Sequence, residues 1–114
     1  MPKVYLEYLR HIHLECDFIC QTINATVEKD DFLKDEILKR AIVRSLEIIG
    51  EATKKIPVDI KLKWNTISWK NMAGMRDRLI HDYMGVNYYL VWDVAKNIIP
   101  DLKVQIESII NENI

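Results

Sequence analysis

A chain of 114 residues, 49% hydrophobic and 29% charged, has the balance of a folded protein that buries one core, which excludes a disordered or fibrous polypeptide. A net charge of −1 excludes a protein that coats nucleic acid nonspecifically, because such affinity comes from many Lys and Arg contacts to phosphate. No apolar run approaches the ~20 residues of a membrane span, and the N-terminal MPKVYLEYLRH lacks the apolar stretch of a secretory signal, so no membrane association and a cytoplasmic setting are expected.

Apolar spacing predicts four helical segments and no strand pattern of alternating residues. The first runs from about Val4 to Val27, with Tyr5, Leu9, Ile12, Cys16, Ile19 and Ile23 on one stripe. Cys16 and Cys20, four apart within it, are expected to pack as small apolar groups in a reducing compartment. His11 and His13, two apart, point to different faces, a poor spacing for a shared metal.

A polar turn, EKDD, precedes a second helix expected from near Asp31 to Ile56, with Leu38, Ala41, Ile42, Ser45, Ile49, Ala52 and Ile56 buried and Pro57 as its stop. Gly50 inside it costs ~1 kcal/mol relative to Ala, which close helix packing can offset. Arg44 and Glu51, seven apart beside the stripe, either pair near a cleft or flank the core. Residues 57–67 form a connection with room for one short helical turn, and Trp64, Trp69 and Trp92 are expected as core or interface anchors.

Ser68 is placed to cap a third helix over Trp69 to about Met84, with Gly85 as a left-handed terminator and Asn87 as the cap of the fourth. Pro100 should kink that last helix, whose stripe is Val91, Ala95, Ile98, Leu102, Ile106 and Ile109. The expected fold is all-α, an antiparallel bundle of four to five helices forming a single domain over residues 1–114.

The third helix carries MRDRLIHDYMG, the densest group of polar chemistry in the chain. Asp77 and His81 are four apart and share a face, whereas Arg76 and His81 differ by five residues, about 140° in azimuth and ~7.5 Å along the axis. In the last turn the helix dipole favours a protonated imidazole at His81. The surrounding residues 61–81 hold Lys61, Lys63, Lys70, Arg76 and Arg78 against the single acid Asp77, a local basic surface suited to touching a few phosphates.

Arg and His without a cluster of metal ligands suit metal-independent RNA cleavage, in which the ribose 2′-hydroxyl attacks its own phosphate. Histidine moves the proton and arginine stabilises the phosphorane charge. Asp77 would orient or charge-stabilise His81, and Tyr83 would bind phosphate or carry a modification. No cofactor and no metal enter this scheme. A mixed Arg, Asp and His surface is equally a solvated helix face with weak ion pairs, and spacing alone does not separate the two.

The wider sequence does. RAIVRSLEIIGEATKKIP (residues 40–57), ISWKNMAGMRDRLIHDYMGVN (67–87) and VWDVAKNIIPDL (91–102) closely resemble the HepT-like group of HEPN-domain proteins. The resemblance implies that Arg76 and His81 are the catalytic pair of an Arg-x4-His-x-Tyr ribonuclease motif, that Asp77 supports the site, and that Tyr83 is the tyrosine adenylylated by a cognate antitoxin. It further implies an all-helical homodimer with both motifs in one cleft, an antitoxin of the minimal nucleotidyltransferase (MNT) family that consumes ATP, and RNA substrates that include transfer RNA. Arg44, Glu51 and Arg78 are possible cleft residues. The alternative is a non-catalytic helical module that binds the nucleotidyltransferase and is modified by it. A metal or haem bundle is disfavoured because no Glu-x-x-His pairs occur on facing helices.

Overall fold

The computed structural model describes residues 4–81 and 85–113, except the side chains of Arg76, Leu79, Ile80 and His81. Helix α1 (Tyr5–Thr22) buries Leu9, Ile12, Cys16 and Ile19 as the spacing predicts, and its neighbour Ile23 is buried with them. It stops one turn short of the expected Val27. The side chain of Asn24 takes over there: Asn24 Oδ1 accepts from both the amide (2.9 Å) and the hydroxyl (2.5 Å) of Thr26, a local turn that competes with the helix.

The predicted second helix is two helices. After α2 (Lys29–Lys34), Asp35 leaves helical geometry and caps α3 (Glu36–Lys54), its Oδ1 accepting from the amide of Leu38 at 3.0 Å. The break falls at an acid outside the EKDD turn, whose side chain satisfies a free amide of the helix it starts. Helix α2 exists to seat Phe32, which is fully buried and lies 5.4 Å from the Trp92 ring. Along α3, Ile42, Ser45, Ile49 and Ala52 are buried as expected and Gly50 with them, while Leu38 and Ala41 are only half-buried. Lys39 fills the space near Leu38 instead, its ammonium 2.8 Å from Glu36 and 4.5 Å from the Tyr88 ring centroid.

Pro57 leaves α3 in an extended conformation, and the short α4 (Val58–Lys63) follows. Trp69 opens α5 (Trp69–His81). It is buried, and its indole Nε1 donates to the carbonyl of Trp64 at 3.1 Å. The amide of Met72 donates to the Ser68 carbonyl, so Ser68 stands at the helix entry as expected. The predicted end at Met84 lies outside the described residues.

Asn87 caps α6 (Tyr88–Asp93), its Oδ1 accepting from the amide of Leu90 at 3.2 Å. The chain then widens into a π-helical segment (Val94–Ile98) before α7 (Ile99–Glu112). The wide turn lies directly ahead of Pro100, which has no amide to donate and whose ring would press on the carbonyl of an ordinary α turn. One consequence is a register correction: Ile98 is 43% exposed and Ile99 0%. An i to i+5 turn accommodates an extra residue, so the core position falls one residue later than the α spacing predicts.

Helix α1 packs between α3 and α7. Tyr8 and His11 share one hollow with Glu51 and Lys55 while Leu14 and Phe18 share another with Ala41 and Ser45, so α1 and α3 run antiparallel. Antiparallel pairing with α7 follows from Tyr5 with Asn113 (3.0 Å), His13 with Glu107 (2.8 Å) and Asp17 with Lys103 (3.0 Å). Helix α3 also packs against α5. The Lys103 ammonium donates to Asp17 and holds its carboxyl below the usual range, while Lys103 is raised in return. Burial pushes the Cys16 thiol up to about 12, and Cys20 is half-buried; both are free. The result is the expected all-α bundle. Its apolar side chains form one cluster drawn from α1, α2, α3, α5, α6 and α7.

Candidate functional site

Arg76 and His81 lie on α5, with His81 as its last residue. Their backbones are separated by the helical offset of about 140° and ~7.5 Å; their side chains, and the whole of Tyr83, lie outside the described residues. Gly85 is described, and among the described residues no glycine has a positive φ. The helix end that Gly85 is expected to terminate lies outside the described residues, and no described atom comes within 4 Å of a Cβ built on Gly85.

Asp77 is half-buried, and Lys54 Nζ donates to its Oδ1 at 2.5 Å. Lys54 comes from the last turn of α3, so this bond joins the helix bearing Arg76 and His81 to its main packing partner. Sequence spacing gives no reason to pair two residues 23 apart.

The other predicted residues fall in two places. Arg44 and Glu51 line one hollow of about 220 Å³ between α1 and α3, together with Tyr8, His11, Glu47 and Lys55. Arg44 reaches Glu47 at 3.6 Å rather than Glu51 and remains exposed. Arg78 is exposed and lines a separate hollow of about 230 Å³ between α5 and α6, with Met75, Gly85, Val86, Asn87, Leu90 and Val91. Arg44 and Glu51 are thus brought together, and Arg78 is not with them.

Among the described residues no group of three or more His, Cys, Asp or Glu side chains is placed to hold a metal ion, and no helix is long and apolar enough to cross a membrane. His11 stands edge-on to Tyr8 and His13 faces Glu107, in keeping with packing and surface roles.

The chain matches the family model described as "Ribonuclease HepT-like" over residues 7–109, a span that includes all of α5. It belongs to the HepT-like ribonuclease family. Two relatives bear the name "Putative RNase". One, from Caldanaerobacter subterraneus subsp. tengcongensis, is 46% identical over 111 residues, covering 97% of this chain and 96% of its own. The other, from Methanocaldococcus jannaschii, is 45% identical over 114 residues, covering 98% and 93%. A relative from Thermococcus cleftensis, 39% identical over 109 residues and covering 96% and 98%, is named "Probable ribonuclease HepT". No solved structure gives a significant match. The HepT-like match bears out the resemblance carried by residues 40–57, 67–87 and 91–102.

Proposed function

We propose that this HepT-like protein is a metal-independent endoribonuclease and the toxin of a HEPN/MNT toxin–antitoxin pair. The observation that carries the reading is the family match over residues 7–109, a span that includes Arg76, His81 and Tyr83. The substrate is RNA, with transfer RNA as one candidate, and the whole chain, residues 1–114, acts as one domain in the cytoplasm.

In this reading the ribose 2′-oxygen attacks the adjacent phosphorus and its proton leaves with a base. The P–O5′ bond breaks, and O5′ departs with a proton from an acid, giving a 2′,3′-cyclic phosphate and a 5′-hydroxyl. His81 moves the protons and Arg76 stabilises the charge on the phosphorane oxygens. Asp77 supports the site from the same helix, and Lys54 holds Asp77 from α3. Two such helices, one from each protomer of a homodimer, line the RNA cleft. An MNT nucleotidyltransferase adenylylates Tyr83 using ATP and silences the toxin; the chain itself needs no cofactor.

The test is cleavage of RNA by the purified, unmodified protein in EDTA. Arg76→Ala and His81→Ala should abolish cleavage with the helical circular-dichroism signal intact; variants that cut like the wild type refute the assignment. Incubation with the nucleotidyltransferase and ATP should add mass in multiples of AMP. Persistence of that gain in Tyr83→Phe refutes the modified position.

A further inference from the structure

The hollow between α5 and α6 lies on the helix that carries Arg76 and His81. Its walls are Met75, Gly85, Val86, Leu90 and Val91, and its polar residues are Arg78 and Asn87. None of these lining residues is acidic, whereas the hollow between α1 and α3 balances Arg44 and Lys55 with Glu47 and Glu51. Arg78 has no ion-pair partner among the described residues, and it lies two positions after Arg76 and three before His81. Asn87 spends Oδ1 on the amide of Leu90, and its Nδ2 makes no hydrogen bond among the described residues.

At about 230 Å³ the hollow falls below the ~300–1,000 Å³ of sites that enclose drug-sized ligands, so it fits one planar ring system. Beyond Leu90, which is 40% exposed, α6 presents Tyr89 at 62% exposure with the Lys29 ammonium 4.8 Å from its ring centroid. An apolar slot, a guanidinium and an amide donor with no partner among the described residues, and a cation beside an aromatic ring are the parts from which proteins hold single-stranded nucleic acid.

We propose that this hollow is a nucleobase subsite. It takes one unstacked base of single-stranded RNA beside the scissile phosphate, with Arg78 on a flanking phosphate and Asn87 Nδ2 donating to a carbonyl oxygen of the base edge. The inference rests on the ribonuclease reading and adds a preference to it. Uracil, cytosine and guanine carry an exocyclic carbonyl acceptor, whereas adenine offers only ring nitrogens set deeper in the base edge, so adenine is the disfavoured base.

Fluorescence anisotropy with 2′-O-methyl hexanucleotides of uniform sequence, which cannot be cleaved by 2′-hydroxyl attack, tests this on the unmodified full chain. The uridine hexamer should bind about fivefold or more tighter than the adenosine hexamer, the share of one good hydrogen bond. Asn87→Asp keeps an acceptor for the Leu90 amide and loses the donor, so the discrimination should vanish. Leu90→Trp and Gly85→Leu fill the hollow from opposite sides and should weaken every hexamer about tenfold, with Gly85→Leu deciding if Leu90→Trp does not fold. Wild type that cuts RNA while the filled variants bind and discriminate unchanged overturns the subsite alone. Wild type that neither binds nor cuts any RNA overturns the ribonuclease reading and the subsite with it.

Discussion

Lys54 and Asp77 meet at 2.5 Å across the α3–α5 contact, so the last turn of one helix anchors the middle of the helix that carries Arg76 and His81. Both side chains keep substantial solvent contact, 36% and 46% exposed, so the pair contributes little to stability and its main effect is on the placement of α5.

That distinction is measurable. Lys54→Ala and Asp77→Asn should each lower unfolding free energy by less than about 1 kcal/mol in urea titrations, and the double variant by no more than the larger single loss plus a few tenths. Cleavage by Lys54→Ala should fall more than that loss explains. Losses that simply add would show that the two residues do not act through one another.

The π-helical segment makes a prediction from two adjacent isoleucines. Ile99 is fully buried and Ile98 is 43% exposed, so Ile99→Ala should cost roughly 2–5 kcal/mol and Ile98→Ala under about 1 kcal/mol. A regular α turn through Pro100 would reverse or level the two values. Chemical denaturation of the two single variants reads the register directly.

Those isoleucines also mark where sequence reasoning stops. The stripes of α1 and of α7 beyond Leu102 were legible because their repeat is uniformly three or four residues. Ile98 was assigned to the core because an α period was carried across a proline that forces a wider turn. Asp35 and Asn24 lie inside the stretches that apolar spacing reads as helix, and whether such a side chain ends, starts or merely decorates a helix depends on which backbone group it captures. At the candidate site the motif was legible from residue order alone. The Lys54 bond and the Arg78–Asn87 hollow were not, because how one helix packs on another leaves no local period in the sequence.

The cap at Asp35 is a separate test of the α2–α3 break. Asp35→Ala removes the acceptor for the Leu38 amide and should cost ~1 kcal/mol, whereas Asp35→Asn or Asp35→Ser should recover most of it. Thermal unfolding of the three variants decides it. Equal stability of Asp35→Ala and wild type would mean that α2 and α3 are one continuous helix.

Cys16 sets an alkaline limit. Its native thiol keeps its proton to about pH 12, against ~8.5 for an exposed thiol, so the folded state holds the extra proton between those values. The associated stability is complete below pH ~8.5 and is lost as the pH rises towards 12. Urea midpoints measured from pH 8 to 10.5 should fall less steeply in Cys16→Ala than in the wild type, even if that variant starts lower from its lost packing. A thiol reagent should label Cys20 well before Cys16 in the native protein.

The central claim concerns the ends left on cut RNA. With unmodified protein in EDTA, fragments from a defined single-stranded RNA should carry a 2′,3′-cyclic phosphate on one side and a 5′-hydroxyl on the other by mass spectrometry, and folded His81→Ala should leave the RNA intact. Fragments ending in 3′-hydroxyl and 5′-phosphate, or the same cyclic ends from His81→Ala, would contradict the account.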